Sequence, residues 1–311
     1  MKVIYGYLKT YWIEEYQQRL FVNIGVFLSV AIAINYWLDF EDQYIDQFYR
    51  SWWQLPIMAI YQSFPFLVVC WLIHRNQGAP GWINSREFWI KLVFGFLILG
   101  LDRSYYTPDA WLSDFPYYER SYYSKLLFWG VAPLTIVLPL LIFHQRIEKR
   151  PADYYGLRMN KVAVRTYLLL LAIAILVIIA GSFLSEIQEY YPRYKYSYGN
   201  KLVEHFGWSP WKTVAGYELS YAMNFLGVEL FFRGFLILAF YRIVGPKVVL
   251  AMVASYAFLH FGKPIGETIS SVFGGFILGV IALKTKNIWG GVMIHVGIAW
   301  AMELAGYLQG Q

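Results

Sequence analysis

The run Gly227-Val228-Glu229-Leu230-Phe231-Phe232-Arg233-Gly234 places an acid and a base four residues apart in an otherwise apolar stretch. Positions four apart share one face of a helix. Hydrocarbon penalises an ionised side chain by about 2.5–3.5 kcal/mol even on the lenient insertion scale. Two histidines, His260 and His295, follow in later apolar runs. A carboxylate near an imidazole can hold and deprotonate a water that then attacks a carbonyl. A second imidazole can stabilise the oxyanion that forms. A neighbouring guanidinium favours the ionised carboxylate and orients it. In this reading Glu229 and His260 act on the water, His295 serves the oxyanion and Arg233 holds Glu229. A Glu with two His can also bind zinc. The helical HExxH spacing is missing, so the metal-free reading is preferred and no cofactor is expected.

A lone polar residue in a membrane bundle often only bonds a neighbouring helix. Four ionisable residues at one depth make a functional site the default expectation. Glu229 lies about fifteen residues into its span from the outside, and His260 about twelve and His295 about seven into theirs from the inside, which at about 1.5 Å per residue brings all three near the midplane. Other residues carry two readings each. Glu303, eight residues after His295, is either a partner supporting His295 or an interfacial acid reaching water. Lys263 either places a cation at the mouth of the site or marks a helix end before Pro264, where cations are favourable. Glu218 reads as interfacial.

These residues need helices in lipid to position them. Of 311 residues, 58% are hydrophobic and only 15% are charged, against about a quarter in soluble domains. Aromatics reach 20%, as expected for a polytopic membrane protein with belts at both interfaces. The single cysteine, Cys70, excludes a disulfide framework and a cysteine metal cluster. The start does not read as a cleavable signal, because Glu14 and Glu15 interrupt it.

Apolar runs long enough for hydrocarbon predict an all-α bundle of about nine spans. Residues 1–18 read as an amphipathic lead-in suited to an interface. The spans are 20–37, 53–73, 88–101, 126–143, 167–184, 214–241, 248–261, 269–283 and 288–308. A short loop containing Gly78, Pro80 and Gly81 joins the second and third. A tyrosine-rich polar segment, 102–125, precedes the fourth. With the N-terminus inside and the C-terminus outside, the inner segments hold sixteen of the 26 Lys and Arg, Lys91 included, and the outer ones nine. That bias fits the positive-inside rule. Orientation and anionic lipid account for the net charge of +6, so no nucleic-acid partner is expected. The first five spans carry almost no ionisable residues. This divides the chain into an N-terminal scaffold, 1–149, and a working core, 150–311.

The motifs resemble the CPBP family of intramembrane proteins, the CAAX prenyl endopeptidases and bacteriocin-processing, Abi-like enzymes. The family pattern is Glu-Glu-xxx-Arg, then Phe-xxx-His, then His-xxx-Asn or Asp. Here the first motif reads Val228-Glu229-Leu230-Phe231-Phe232-Arg233. The second reads Tyr256-Ala257-Phe258-Leu259-His260, and the third His295-Val296-Gly297-Ile298-Ala299. The Tyr155-Gly156-Leu157-Arg158 run before the fifth span is a further similarity, and the likeness covers about 150–308. Val228 replaces the acid thought to activate water, Ala299 replaces the Asn thought to help the oxyanion, and Tyr256 replaces Phe.

The resemblance implies an intramembrane hydrolase acting on a membrane-embedded or lipid-modified protein, with Glu229, His260, His295 and Arg233 catalytic. Glu303, Lys263 and Tyr256 would support or bind substrate. Two alternatives stay open: acyl transfer or another lipoprotein modification, and a non-catalytic scaffold that binds a membrane partner. The expected location is the membrane, in contact with lipid, and the cytoplasmic membrane if the source is bacterial.

Overall fold

The computed structural model describes residues 2–77, 82–149, 153–158 and 164–309. Gly78, Pro80, Gly81 and Lys161 lie outside the described residues, as does Arg150, the start of the expected core. The described residues form helices and no strands. In chain order the long elements are α1 (Lys2–Glu15), α2 (Gln18–Leu38), α3 (Gln54–Gln77), α4 (Arg86–Arg103), α5 (Tyr117–Glu148) and α6 (Val164–Gly181). After a segment of short helical turns come α7 (Pro210–Val244), α8 (Val248–Phe258), α9 (Ile265–Thr285) and α10 (Trp289–Gln309).

Among the described residues, seven helices are long and apolar enough to cross a membrane: α2, α3, α5, α6, α7, α9 and α10. Their outward faces are apolar. On α2, Leu20, Ile24 and Leu28 are buried while Val22, Val26, Val30 and Ile34 form an exposed stripe at four-residue spacing. A stripe of that kind suits lipid rather than water. The chain is an integral multi-pass membrane protein.

The other two stretches read as spans behave differently. α8 has only 11 residues and all of them are buried. It is apolar all round because it lies inside the bundle, between α3 and α9. α4 carries charge at both ends. Its Lys91, counted above with an inner loop, is instead buried, with Nζ 2.7 Å from a carboxylate oxygen of Glu148 and 2.8 Å from the Ala239 carbonyl oxygen it donates to. Thus the N-terminal half has a buried ion pair of its own.

Two boundaries move for physical reasons. α5 starts at Tyr117, nine residues before the expected 126, because its tyrosines pack against α7. Tyr122 is buried and its hydroxyl donates to the Thr213 carbonyl at 2.7 Å. α8 ends at Phe258, and His260 sits in the turn beyond it.

The lead-in is a helix strapped to one end of the bundle. The Tyr11 hydroxyl donates to the Pro246 carbonyl, Glu15 pairs with Lys247 at 2.9 Å, and Glu14 pairs with Lys284 at 3.1 Å. At the opposite end, the Tyr36 hydroxyl near the close of α2 donates to the Lys263 carbonyl at 2.6 Å. α8 and α9 therefore meet α2 on the far side from α1.

Candidate functional site

α7 changes pitch at the site. It is α-helical through Glu229 and then a π-helix over Leu230–Ala239. π turns are rare and concentrate at functional sites. The wide segment is fully packed: Leu230 to Ile237 are all buried. Gly234 lets the backbone of the 153–158 turn approach, since any Cβ there would crowd the Tyr155 carbonyl. Lys91 caps the far end, donating to the Ala239 carbonyl.

Glu229 and Arg233 stand on one face of this helix, 0% and 1% exposed, with Nη1 3.0 Å from Oε1. α10 brings His295 to the same carboxylate oxygen, Nδ1 to Oε1, at 3.1 Å. A carboxylate held beside a guanidinium only accepts, so Nδ1 of His295 carries the proton and Nε2 presents a lone pair. The Tyr256 hydroxyl, from α8, meets that Nε2 at 3.2 Å and is the donor. Arg233 lies over the Tyr256 ring, 4.1 Å from its centroid. His260 Nδ1 donates to the Tyr256 carbonyl at 2.9 Å, which fixes the same tautomer in the second imidazole. The two rings Tyr256 and His260 meet edge to face at 4.5 Å.

The helices thus bring Glu229, Arg233, His295 and Tyr256 into one connected line. His260 joins it through Tyr256, and Glu229 bonds His295 rather than His260. The site is polar and incompletely satisfied. Among the described residues, Glu229 Oε2 and the guanidinium nitrogens of Arg233 make no aligned hydrogen bond. Buried groups of this kind are costly unless something completes them. The His295 side chain is 13% exposed, so the site can be reached.

Two other candidates are engaged elsewhere. Glu303 accepts hydrogen bonds from the backbone N–H groups of Arg193 (2.7 Å) and Tyr194 (3.1 Å), clasping the 193–197 turn. Eight residues, about 12 Å along a helix, separate it from His295. Lys263 pairs with Glu267 at 2.5 Å. It also lines a cavity of about 550 Å³ with Tyr36, Glu186, Glu189, Arg193 and Tyr196.

The ligand atoms of Glu229, His260 and His295 do not gather within reach of one shared ion in this structure. Among the described residues, the only group of three or more such side chains with ligand atoms close enough to share an ion is Glu41, Asp42 and Asp46. That group lies in the turn after α2. Burial, followed by the charges of Asp46, Asp42 and Asp39, pushes the Glu41 carboxyl up to about 8. Its Oε2 rests against Gly262, two residues beyond His260.

Sequence reasoning placed Tyr256 near substrate without assigning its hydroxyl a partner. The signal was available, since a Tyr stands one helical turn before His260 where the resembled pattern has Phe. Phe225, whose ring is tilted 38° against His295 with centroids 4.3 Å apart, and Gly291, which backs Glu229, gave no sequence signal beyond their apolar or small character.

Comparison with known proteins adds one match. Residues 210–301 match the family model of type II CAAX prenyl endopeptidase Rce1-like proteins. The match spans Glu229, Arg233, Tyr256, His260 and His295 and stops before Glu303. No curated protein and no solved structure matches the chain.

Proposed function

We propose, from the Rce1-like, CPBP-family domain that residues 210–301 form, that this chain is an intramembrane endopeptidase. Its substrate is a membrane-associated, lipid-modified protein whose scissile amide is hydrolysed inside the bundle. The observation that carries this reading is the 3.1 Å bond from His295 Nδ1 to Glu229 Oε1. It orients an imidazole with a basic Nε2 directed away from a buried, arginine-held carboxylate.

The chemistry follows from the bonding. Both imidazoles present Nε2 as an acceptor, because Nδ1 of each is a donor. One takes a proton from the attacking group and, as the imidazolium, returns it to the leaving amine. Arg233 is the donor for the oxyanion, since its N–H groups make no aligned hydrogen bond among the described residues. Val228 is packed in the apolar core, so position 228 contributes no acid. The work expected there passes to the imidazoles. On the nine-span, N-in and C-out reading, in which the short α8 and the charge-ended α4 also cross, the turn holding His260 and Lys263 lies on the outer side. The polar part of the substrate enters there, through the cavity beside Lys263, while its lipid remains in the bilayer.

The test is hydrolysis of a prenylated peptide by the full-length protein in lipid nanodiscs. Glu229→Gln, His260→Ala and His295→Ala are each expected to lower kcat/KM by about 10²–10⁴, with thermal melting retained. Full activity in the Glu229→Gln, His260→Ala double variant would sink the reading.

A further inference from the structure

The group resting on His295 Nε2 is a protein hydroxyl. The line Arg233, Glu229, His295, Tyr256 runs carboxylate to imidazole to O–H, at 3.1 Å and 3.2 Å. A carboxylate that fixes the tautomer, an imidazole base and a hydroxyl in hydrogen-bond reach together make an activated nucleophile. Three further features suit that role. Tyr256 is buried, so water does not compete freely for its hydroxyl. The Arg233 guanidinium lies 4.1 Å from the ring centroid, where it favours negative charge developing on the phenol. The ring is clamped between His260 and Phe232, with centroids 4.5 Å and 5.1 Å away.

We propose that Tyr256 is the nucleophile and that the site works through a covalent acyl-tyrosine. In the first step Tyr256 Oη forms a bond to the substrate carbonyl carbon, and the phenol proton passes to His295 Nε2. The C–N bond then breaks, and the leaving amine takes that proton. In the second step a water attacks the tyrosyl ester. One of its protons goes to the imidazoles and on to the departing phenolate, which restores Tyr256 and releases a carboxylic acid. The sum is amide hydrolysis with no oxidant, reductant or other co-reactant. This inference rests on the hydrolase reading for its substrate, but the reactivity of Tyr256 does not need that substrate to be known.

The experiment uses methanesulfonyl fluoride, a small sulfonylating probe of nucleophilic hydroxyls, on the full-length protein in nanodiscs. Tyr256 Oη forms a bond to sulfur, fluoride leaves, and the proton goes to His295. Peptide mass spectrometry reads the rate at each tyrosine. Tyr256 is expected to label at least tenfold faster than the exposed Tyr5 and Tyr117. His295→Gln and Glu229→Gln are each expected to slow it tenfold or more. The proposal is overturned if Tyr256 labels no faster than the exposed tyrosines in both the wild type and Phe225→Ala, which clears the ring packed on His295. It is overturned equally if His295→Gln leaves the rate unchanged. Labelling without any peptide hydrolysis supports the nucleophile and counts against the hydrolase. Undiminished hydrolysis by Tyr256→Phe overturns the nucleophile and leaves the hydrolase standing.

Discussion

Glu229 Oε2 lies where the Cβ of any residue other than glycine at position 291 would stand. The carboxylate is seated against bare α10 backbone, and its other oxygen holds Arg233 and His295. Position 291 therefore fixes how far Glu229 reaches.

Gly291→Ala is expected to displace that carboxylate. Overpacking of this kind costs about 1–3 kcal/mol. Here the loss should fall on turnover more heavily than on folding, because the displaced group orients His295. Rates of prenylated-peptide hydrolysis and melting temperature, measured together, check this. A variant melting well below the wild type at normal turnover would contradict it.

Glu303 offers a contrast on the same helix. Its two backbone hydrogen bonds hold the 193–197 turn. Glu303→Ala leaves two N–H groups without their charged acceptor, a loss on the order of 3 kcal/mol. Melting temperature should drop while kcat stays within about threefold of wild type, since proton transfer through His295 does not involve this residue. A collapse of kcat at unchanged stability would return Glu303 to the reacting centre.

The turn after α2 makes stability depend on pH. Burial raises the Glu41 carboxyl from its ordinary 4.5 to about 8, so the folded protein binds that proton more tightly than the unfolded chain. The stabilisation is full below the unfolded value and is lost as pH rises through about 8. Asp42 and Asp46 are shifted in the same direction, chiefly by burial, and add to the trend. Melting temperature should fall as pH rises from about 5 to about 8, and the slope should be shallower in Glu41→Gln. A wild-type profile that climbs over that range is incompatible with the geometry around Gly262.

Much of the site was legible in the residues themselves. The four-residue step from Glu229 to Arg233 gives one helical face whether the turn is α or nearly so, and the pair is formed at 3.0 Å. The histidines were recognisable because lipid-buried imidazoles are rare enough to stand out. The Glu229–His295 pairing was harder, because depth along a helix says nothing about rotation around it. Tyr256 carried a weaker signal still, since tyrosine is abundant here and usually marks an interface. Lys91 was misplaced because its partner, Glu148, is 57 residues away and no periodicity links them. The π-helix was invisible, as Leu230–Ala239 has the same apolar composition an α-helix would have.

That change of pitch has a consequence for how this helix tolerates alteration. A uniform α-helix is a single rigid screw, so any shift at one end turns the other by the same angle. α7 is two screws of different thread joined at Glu229. The half before Glu229 takes its bearing from α5, and the half after it from the 153–158 turn, α8 and α9. A one-residue deletion within 234–239 would let the second half tighten to the common thread without moving Tyr217 or Tyr221. The face carrying Arg233 and the aromatic wall of Tyr217 and Tyr221 can thus drift independently, although they belong to one unbroken rod.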